Sequence, residues 1–320
     1  GWMNRRRFFL ALAGIAAAGL AVRLVYIFGF RHGFDPGGDA FFYHRGANLL
    51  ADGEGFVSPF WFPQRRVAAA EHPPLYTVFL AAPSLVGFTS VTAHLCWSAV
   101  AGTATIVVTG VLGRRVVGSA VGLGAAALVA VAPNAWAPDG MLQAETLAML
   151  LATTAVLAAY HALARPGPAR LAVVGAVCGA AALARSELLL LAPLLVLPVA
   201  VRGVGLERRR RIDAAAAGLG AALVAPWLVF NATRFEHPVL MSSQFGPLLS
   251  SANCDSAWSG PLRGYFDITC TMAADRAAGI TDRDDQSVMD RSNRSAAWHY
   301  VRGHLGAWPG VVGVRLARVV

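Results

Sequence analysis

Long apolar runs are the feature that most restricts how this chain can fold. A helix needs roughly 20 apolar residues to cross a bilayer, and residues 8–30, 91–113 and 141–163 each offer a run of about that length. These runs are continuously apolar, whereas the strands of an outer-membrane barrel alternate. Only 14% of the residues are charged, compared with roughly 25% in soluble domains. We therefore expect an all-α polytopic membrane protein.

Arginine sets the predicted topology, because basic residues concentrate in cytoplasmic loops. The 27 basic residues other than His are all Arg. Placing their clusters in the cytoplasm requires an even number of crossings between successive clusters. The proline-containing stretch 73–88 is therefore predicted to be a juxtamembrane or re-entrant helix on the outer side. Seven transmembrane helices with a cytoplasmic N-terminus result, at 8–30, 91–113, 117–134, 141–163, 171–185, 187–202 and 212–230.

This topology divides the chain into two regions. Residues 1–230 are predicted to form the seven-helix module, with a first extracytoplasmic loop over 31–90 that carries juxtamembrane helices. Residues 231–320 are predicted to be extracytoplasmic. Cys254 and Cys270 flank a polar part of that segment, and cysteines outside the cytoplasm commonly pair. We expect them to form a disulfide.

The acidic residues that lie at membrane depth collect on the predicted outer face. They come from the first loop, from the connection at 134–145 and from a hairpin tip near 185–187. An ionisable group at such a depth is costly, so it predicts a functional site with a partner. The short loops predicted to be cytoplasmic carry mainly Arg and other polar residues. We therefore expect the site on the outer face.

Asp39 is the first candidate for chemistry, because it begins a short amphipathic helix just after the chain leaves the membrane. One interpretation is a helix N-cap, a common role for Asp. The other is a general base. Repulsion from Asp35, four residues earlier, would raise the pKa of one carboxyl group and suit it to accept a hydroxyl proton. Tyr43 is one helical turn beyond Asp39 and shares its face.

The remaining outer-face candidates also have two interpretations each. His72 precedes a double proline and either flanks a proline-started helix or binds a lipid phosphate. Arg185 and Glu187 either pair with each other, or Arg185 grips a phosphate with its forked guanidinium. Glu145 is either a carboxylate favoured by the macrodipole at a helix start or an acid of the functional site. Arg45 opposes the topology rule and so calls for an outside anion or an acidic partner.

Several classes of function are excluded or left open. The net charge of +9 does not indicate nucleic acid, because basic residues in a membrane protein mostly report topology. The sequence has no glycine-rich phosphate loop and no zinc-type ligand spacing. No cofactor is predicted with certainty, and a divalent cation such as Mg²⁺ or Mn²⁺ stays open.

These residues together resemble a known arrangement. Asp39 with Tyr43 four residues later, followed by an amphipathic helix and by "HPPL" at 72–75, is similar to the first outer loop of the GT-C glycosyltransferases. The likeness is to the branch of protein O-mannosyltransferases and aminoarabinose lipid A transferases, and within it to actinobacterial enzymes. Later matches are the acid Glu145, the Leu-x-Arg hairpin tip ending at Arg185, and "PWLVFNATRFEHPV" at 226–239. Relatives usually continue into further helices, so we expect the sequence to stop before them.

The resemblance implies an inverting glycosyltransferase at the outer face of a bacterial plasma membrane. The donor would be a polyprenyl-phosphate sugar and the acceptor a hydroxyl of a glycan, glycolipid or protein. Asp39 would be the base, with Asp35 and Glu145 as further catalytic acids. The implied phosphate-binding residues are Arg185, His72, Arg45 and Tyr43, and the implied sugar- or acceptor-orienting residues are Glu187, Tyr76 and Glu71. The alternatives are a polyprenyl-lipid transporter or flippase, since mid-depth charges also line translocation paths, and a non-catalytic lipid-binding protein.

Overall fold

A computed structural model of the chain describes residues 4–165, 167–195, 206–281 and 284–318, without the side chains of 206–217 and 221. Within these residues the regular structure is helical and contains no β-strand. Three helices of the described part of the chain are long and apolar enough to cross a membrane. The all-α membrane fold is therefore confirmed. The number of seven spans stays a prediction, and residues 196–202 of the sixth predicted span lie outside the described residues.

Contacts divide the chain into two compact units. The first comprises Gly1–Gln64 and Pro73–Pro226, and the second comprises Arg65–His72 and Trp227–Val320. Residues 65–72 of the predicted first loop thus belong to the second unit.

Within the described residues, the first unit contains the three helices that are long and apolar enough to cross a membrane, together with several shorter ones. Its long helices are α1 (Arg5–Phe30), α4 (Val91–Val116) and α7 (Glu145–Ala164); between and after them come α2 (Asp39–Ala51), α3 (Leu75–Ser84), α5 (Ser119–Val131), α6 (Pro133–Trp136) and α8 (Pro168–Ala184), with 3₁₀ turns at Pro138–Met141 and Ser186–Leu190. Helix α9 (Leu206–Ala232) begins in this unit and ends in the second.

Small residues allow α1, α4 and α5 to approach closely. A Cβ on Gly122 of α5 would lie 2.5 Å from the carbonyl oxygen of Gly110 on α4, and a Cβ on Gly19 of α1 would lie 2.3 Å from Ile106. Membrane helices have little hydrophobic drive to associate, so close packing of small residues is a main source of their attraction. Phe8 and Leu12 complete this contact from α1.

Helices α2 and α3 are too short to span a bilayer and are tied to α4 by buried polar groups. Ser84 Oγ donates to Asn48 Oδ1 (2.7 Å) and lies 2.8 Å from His94 Nε2, and His94 Nδ1 lies 3.0 Å from His44 Nδ1. Because the Ser84 hydrogen goes to Asn48, His94 donates to Ser84 and accepts from His44. Burial, followed by the charge of Arg45, lowers the pKa of His44. This chain of hydrogen bonds holds α2 in place.

The second unit has its own buried polar core. Its helices beyond α9 are α10 (Phe245–Ala252), α11 (Asp255–Trp258), α12 (Ile268–Ala277), α13 (Gln286–Gly303) and α14 (Trp308–Ala317). Asp290 accepts a hydrogen bond from the Gly246 amide (2.6 Å), and Ser250 donates to Asn293 (2.6 Å). Cys254 and Cys270 form a disulfide with their Cα atoms 6.4 Å apart.

Candidate active site

Tyr43 is the centre of the candidate site. It lies on α2, is 3% exposed, and its ring meets the ring of Tyr76 edge to face, with centroids 4.8 Å apart. Burial raises the pKa of Tyr43 well above its ordinary value; the negative charge of Asp39 adds to the increase, and the positive charge of Arg185 opposes it. Residues from α2, from α3 and from the end of α8 therefore act on one phenol.

Arg185 carries the positive charge of this cluster. It lies directly after α8, where its Nη1 pairs with Glu145 Oε1 and its Nε pairs with Glu187 Oε1 at 2.5 Å. The guanidinium fork is suited to two planar acceptors at once. Of the two interpretations of Arg185 and Glu187, pairing with each other is thus observed, and it is joined by an ion pair with Glu145 that the sequence did not reveal.

Glu145 has an unsatisfied oxygen. Its carboxylate is at the first residue of α7, and one oxygen is engaged by Arg185. The other, Oε2, is buried and has no hydrogen-bond partner among the described residues. A buried carboxylate oxygen without a donor is costly. This oxygen is therefore suited to accept a hydrogen bond from a bound hydroxyl.

Tyr76 extends the site toward α4. It is fully buried, and its hydroxyl shares a hydrogen bond with Ser98 Oγ at 2.8 Å. Burial raises the pKa of Tyr76 well above its ordinary value, and the charges of Asp139 and Glu145 add to the increase. The hydroxyl is therefore a neutral hydrogen-bonding group beside two carboxylates.

The structure settles how Asp39 begins its helix. The N-cap of α2 is Gly38, with a φ of 54° that favours glycine, and Asp39 is the first helical residue. The N-cap interpretation of Asp39 is therefore wrong. Asp39 is exposed and its charge acts on Tyr43; Asp35 is exposed in the preceding loop, and Arg45 is half-buried next to His44.

Glu71 and His72 lie in the second unit. Gln286 donates to Glu71 Oε1 at 2.9 Å, and the Ser242 hydroxyl donates to the Glu71 carbonyl oxygen. Glu71 is thereby held by residues of its own unit. The roles predicted for Glu71 and His72 at the donor or acceptor stay predictions.

A buried ion pair beside the site was not predicted from the sequence. Arg23 of α1 and Asp139 are both 0% exposed, with Arg23 Nε 2.6 Å from Asp139 Oδ2. Asp139 lies in the 3₁₀ turn Pro138–Met141, and its carboxylate neutralises Arg23. A lone Arg inside an apolar span was the available signal.

Metal binding has no support from clustering. Among the residues that the structure describes, no group of three or more His, Cys, Asp or Glu side chains is arranged to hold a metal ion. Binding of Mg²⁺ or Mn²⁺ therefore stays an open prediction from the sequence.

Comparison with protein families gives a match over the middle of the chain. Residues 71–230 match the model of the dolichyl-phosphate-mannose-protein mannosyltransferase family, and this range is half of the 320 residues. The chain belongs to this family. It is therefore a membrane glycosyltransferase of the mannosyltransferase type. A comparison with curated proteins gives no match.

The range shared with the mannosyltransferase family includes α3, α4, α7 and α8 with their connections. Tyr76, Glu145 and Arg185 fall within it. Asp39 and Tyr43 precede it, so the geometry around Tyr43 is what connects them to the mannosyltransferase part of the chain.

Proposed function

We propose that this chain transfers a sugar from a polyprenyl-phosphate donor to an acceptor hydroxyl, with inversion at the anomeric carbon and with Asp39 as the general base. The observation that carries the proposal is the cluster around Tyr43, whose ring lies 4.8 Å from that of Tyr76 and whose pKa is raised by burial and by Asp39. The ion pair between Arg185 and Glu145 acts on the same phenol. A base, a cation and an unsatisfied carboxylate oxygen in one cluster are the groups that such a transfer needs.

In the proposed reaction the acceptor oxygen forms a bond to the anomeric carbon as the bond from that carbon to the phosphate oxygen breaks. The hydroxyl proton passes to the Asp39 carboxylate, and the polyprenyl phosphate leaves with the bonding electron pair. A single base without a carboxylate nucleophile implies attack from the side opposite the phosphate, which inverts the configuration. General-base help contributes about 10² to 10⁴-fold, so positioning and charge stabilisation supply the rest.

Arg185 is the proposed ligand of the departing phosphate. Its side chain is 37% exposed and already faces two carboxylates, so a phosphate would exchange for one of them without moving the guanidinium far. Arg forms bidentate contacts with phosphate. The Tyr43 hydroxyl is neutral, because burial and Asp39 raise its pKa, and it is the proposed second hydrogen-bond donor to the phosphate beside Arg185. Arg45, on the same helix as Tyr43, contributes positive charge.

Glu145, Tyr76 and Glu187 are the proposed sugar- and acceptor-orienting groups. The unpartnered Glu145 Oε2 is an acceptor for a sugar hydroxyl. Asp35, exposed in the loop before α2, is proposed as a further acid at the acceptor. We place the reaction at the extracytoplasmic face of a bacterial plasma membrane, with a cell-envelope glycan, glycolipid or protein as acceptor.

The test is a transfer assay with the full chain in liposomes. The donor carries ¹³C at the anomeric carbon, and a panel of polyprenyl-phosphate hexoses and pentoses is tried with soluble glycan and peptide acceptors. The expected result is movement of the label to an acceptor, with inverted configuration by NMR. A retained configuration would contradict the single-base mechanism.

The same liposomes separate the two alternative functions. Label that stays on the lipid but moves between leaflets would indicate a flippase, and label that stays on the lipid in its own leaflet would indicate a lipid-binding protein. Either result would overturn the proposed transfer.

A further inference from the structure

The ion pair between Arg23 and Asp139 uses every nitrogen of the guanidinium. Nε donates to Asp139 Oδ2 at 2.6 Å, Nη1 donates to the Gly19 carbonyl oxygen at 3.0 Å, and Nη2 donates to the Ala135 carbonyl oxygen at 3.2 Å. Such a buried pair persists only when its hydrogen-bonding groups are satisfied. Arg23 therefore joins α1 to α6 and to the 3₁₀ turn that follows α6.

The second oxygen of Asp139 extends the network to α7. Thr146 Oγ1 donates to Asp139 Oδ1 at 2.7 Å, and Thr146 is fully buried. Thr146 is the neighbour of Glu145 in the first turn of α7. The carboxylate of Asp139 thus holds Arg23 with one oxygen and the start of α7 with the other.

Helix α4 leaves room for the pair at Gly102. A Cβ on Gly102 would lie 2.0 Å from Asp139 Oδ2 and 2.7 Å from Arg23 Nε. Side-chain atoms almost never approach so closely, so any other residue at 102 would displace the ion pair. The pair is fitted against the α4 backbone and cannot shift toward it.

The network reaches the candidate site at two points. Glu145, next to Thr146, pairs with Arg185. Tyr76 lies near both carboxylates, since the charges of Asp139 and Glu145 add to the effect of burial in raising its pKa. A shift of Asp139 would therefore move the first turn of α7, and with it the carboxylate that Arg185 faces.

We infer that Arg23, Asp139 and Thr146 are positioning residues for sugar transfer. They fix the first turn of α7 so that Glu145 holds Arg185 where the departing phosphate needs it. This inference rests on the proposed function. The alternative is a network that stabilises the helix bundle and has no effect on the reaction.

Thr146 offers the sharpest test, because it contacts Asp139 and lies behind Glu145. Thr146→Val removes the hydroxyl at nearly constant size, and Thr146→Ser keeps it. Thr153→Val is the matched control on the same helix, since the Thr153 hydroxyl donates only to the Met149 carbonyl oxygen of its own helix at 2.7 Å. Each variant is assayed in liposomes for kcat per folded molecule and for the KM of donor and acceptor.

For Thr146→Val we expect kcat to fall about tenfold, the size typical of a small misplacement of a reacting group, with the acceptor KM unchanged. Thr146→Ser and Thr153→Val should stay within about twofold of the wild type, because both keep the Asp139 hydrogen bond. If Thr146→Val does not fold, Thr146→Ala removes the same hydroxyl without placing a methyl group against the carboxylate. A lower thermal midpoint with unchanged kcat would overturn the inference.

Binding of sugar-free polyprenyl phosphate separates failure of this inference from failure of the proposed function. We expect Thr146→Val to bind this lipid several-fold more weakly than Thr153→Val does. If the wild type transfers no sugar but the binding difference is present, the proposed function fails, and what remains is that the network positions Arg185 for polyprenyl phosphate. If the wild type transfers sugar and Thr146→Val matches it in kcat and in lipid binding, the positioning role is wrong.

Discussion

Tyr43 and Tyr76 meet edge to face, with their ring planes at 87° and their centroids 4.8 Å apart. This contact joins α2 to α3, and the hydrogen bond between the Tyr76 and Ser98 hydroxyls continues it to α4. Edge-to-face rings and buried hydroxyl pairs both depend on orientation. The two short helices, which carry Tyr43 and Tyr76, are therefore fixed relative to α4.

The hydrogen bond between Tyr76 and Ser98 should contribute measurably to stability. Tyr76→Phe and Ser98→Ala each leave the other hydroxyl buried without its partner, which costs about 1 to 3 kcal/mol. The double variant should lose less than the sum of the two single losses, because both remove the same interaction. Unfolding free energies in mixed micelles would measure this coupling, and strictly additive losses would contradict it.

Tyr43 should stay neutral at a pH at which an ordinary tyrosine ionises. Burial, followed by the charge of Asp39, raises its pKa well above the ordinary value. Because folding raises this pKa, the contribution of Tyr43 to the free energy of unfolding is complete below about pH 10, the pKa of tyrosine in the unfolded chain. The contribution is lost as the pH rises through the pKa of Tyr43 in the folded chain.

The measurement is the free energy of unfolding against pH on the alkaline side. Tyr43→Phe should lessen the alkaline loss of stability. Tyr160→Phe is the matched control, since Tyr160 is exposed on α7 and its replacement leaves the buried phenol in place. Identical alkaline profiles for the wild type and Tyr43→Phe would contradict the placement of this hydroxyl.

Lysine should not replace Arg185. The guanidinium holds Glu145 and Glu187 through different nitrogens, whereas a lysine ammonium is a point charge that cannot reproduce the fork. For Arg185→Lys we expect the donor KM to rise about tenfold, as for the loss of one charge-assisted hydrogen bond. Arg165→Lys, at the other end of α7, is the control. An unchanged donor KM would argue against phosphate binding by Arg185.

The disulfide should stabilise the second unit. Cys254 and Cys270 are 16 residues apart, and closing a loop of that size stabilises by roughly 3 kcal/mol in the chain-entropy model. Replacing both residues by Ser should speed hydrogen exchange of the α10 and α12 amides. Cys96→Ser, at a free cysteine, is the control, and equal exchange in both variants would contradict the expectation.

Much of the helix pattern could be predicted from the sequence, because apolar length and arginine distribution report it directly. The predicted span 91–113 corresponds to the helix Val91–Val116. The predicted span 117–134 differs, since the chain breaks at Ala132 before Pro133 begins a new turn. A proline lacks the amide hydrogen that a continuous helix needs and pushes the preceding residue out of helical geometry.

The next predicted span, 141–163, also begins earlier than the observed helix does. Leu142 has a left-handed φ of 52°, and α7 begins only at Glu145. Left-handed geometry is rare for a residue other than Gly, Asn or Asp, so nothing in local propensity indicates it. It follows from the tertiary contacts that bury Leu142 and Asp139.

The candidate site was only partly foreseeable. Asp39, Tyr43, Glu145 and Arg185 could be singled out one by one as costly or well-spaced groups on the outer face. The partner of Arg23 could not be predicted from the sequence, because Asp139 is 116 residues away and only the folded bundle brings the two together. The same holds for His44 and His94, which are 50 residues apart.

The central claim is that Asp39 removes the acceptor proton during sugar transfer, and one pair of variants tests it most directly. Asp39→Asn and Asp52→Asn make the same change at opposite ends of α2, about 20 Å apart for 13 residues. Transfer from labelled polyprenyl-phosphate sugar and binding of polyprenyl phosphate would be measured side by side in liposomes. We predict that Asp39→Asn loses at least about 10²-fold in transfer while lipid binding persists, and that Asp52→Asn matches the wild type. Transfer by Asp39→Asn at the rate of Asp52→Asn would contradict the account.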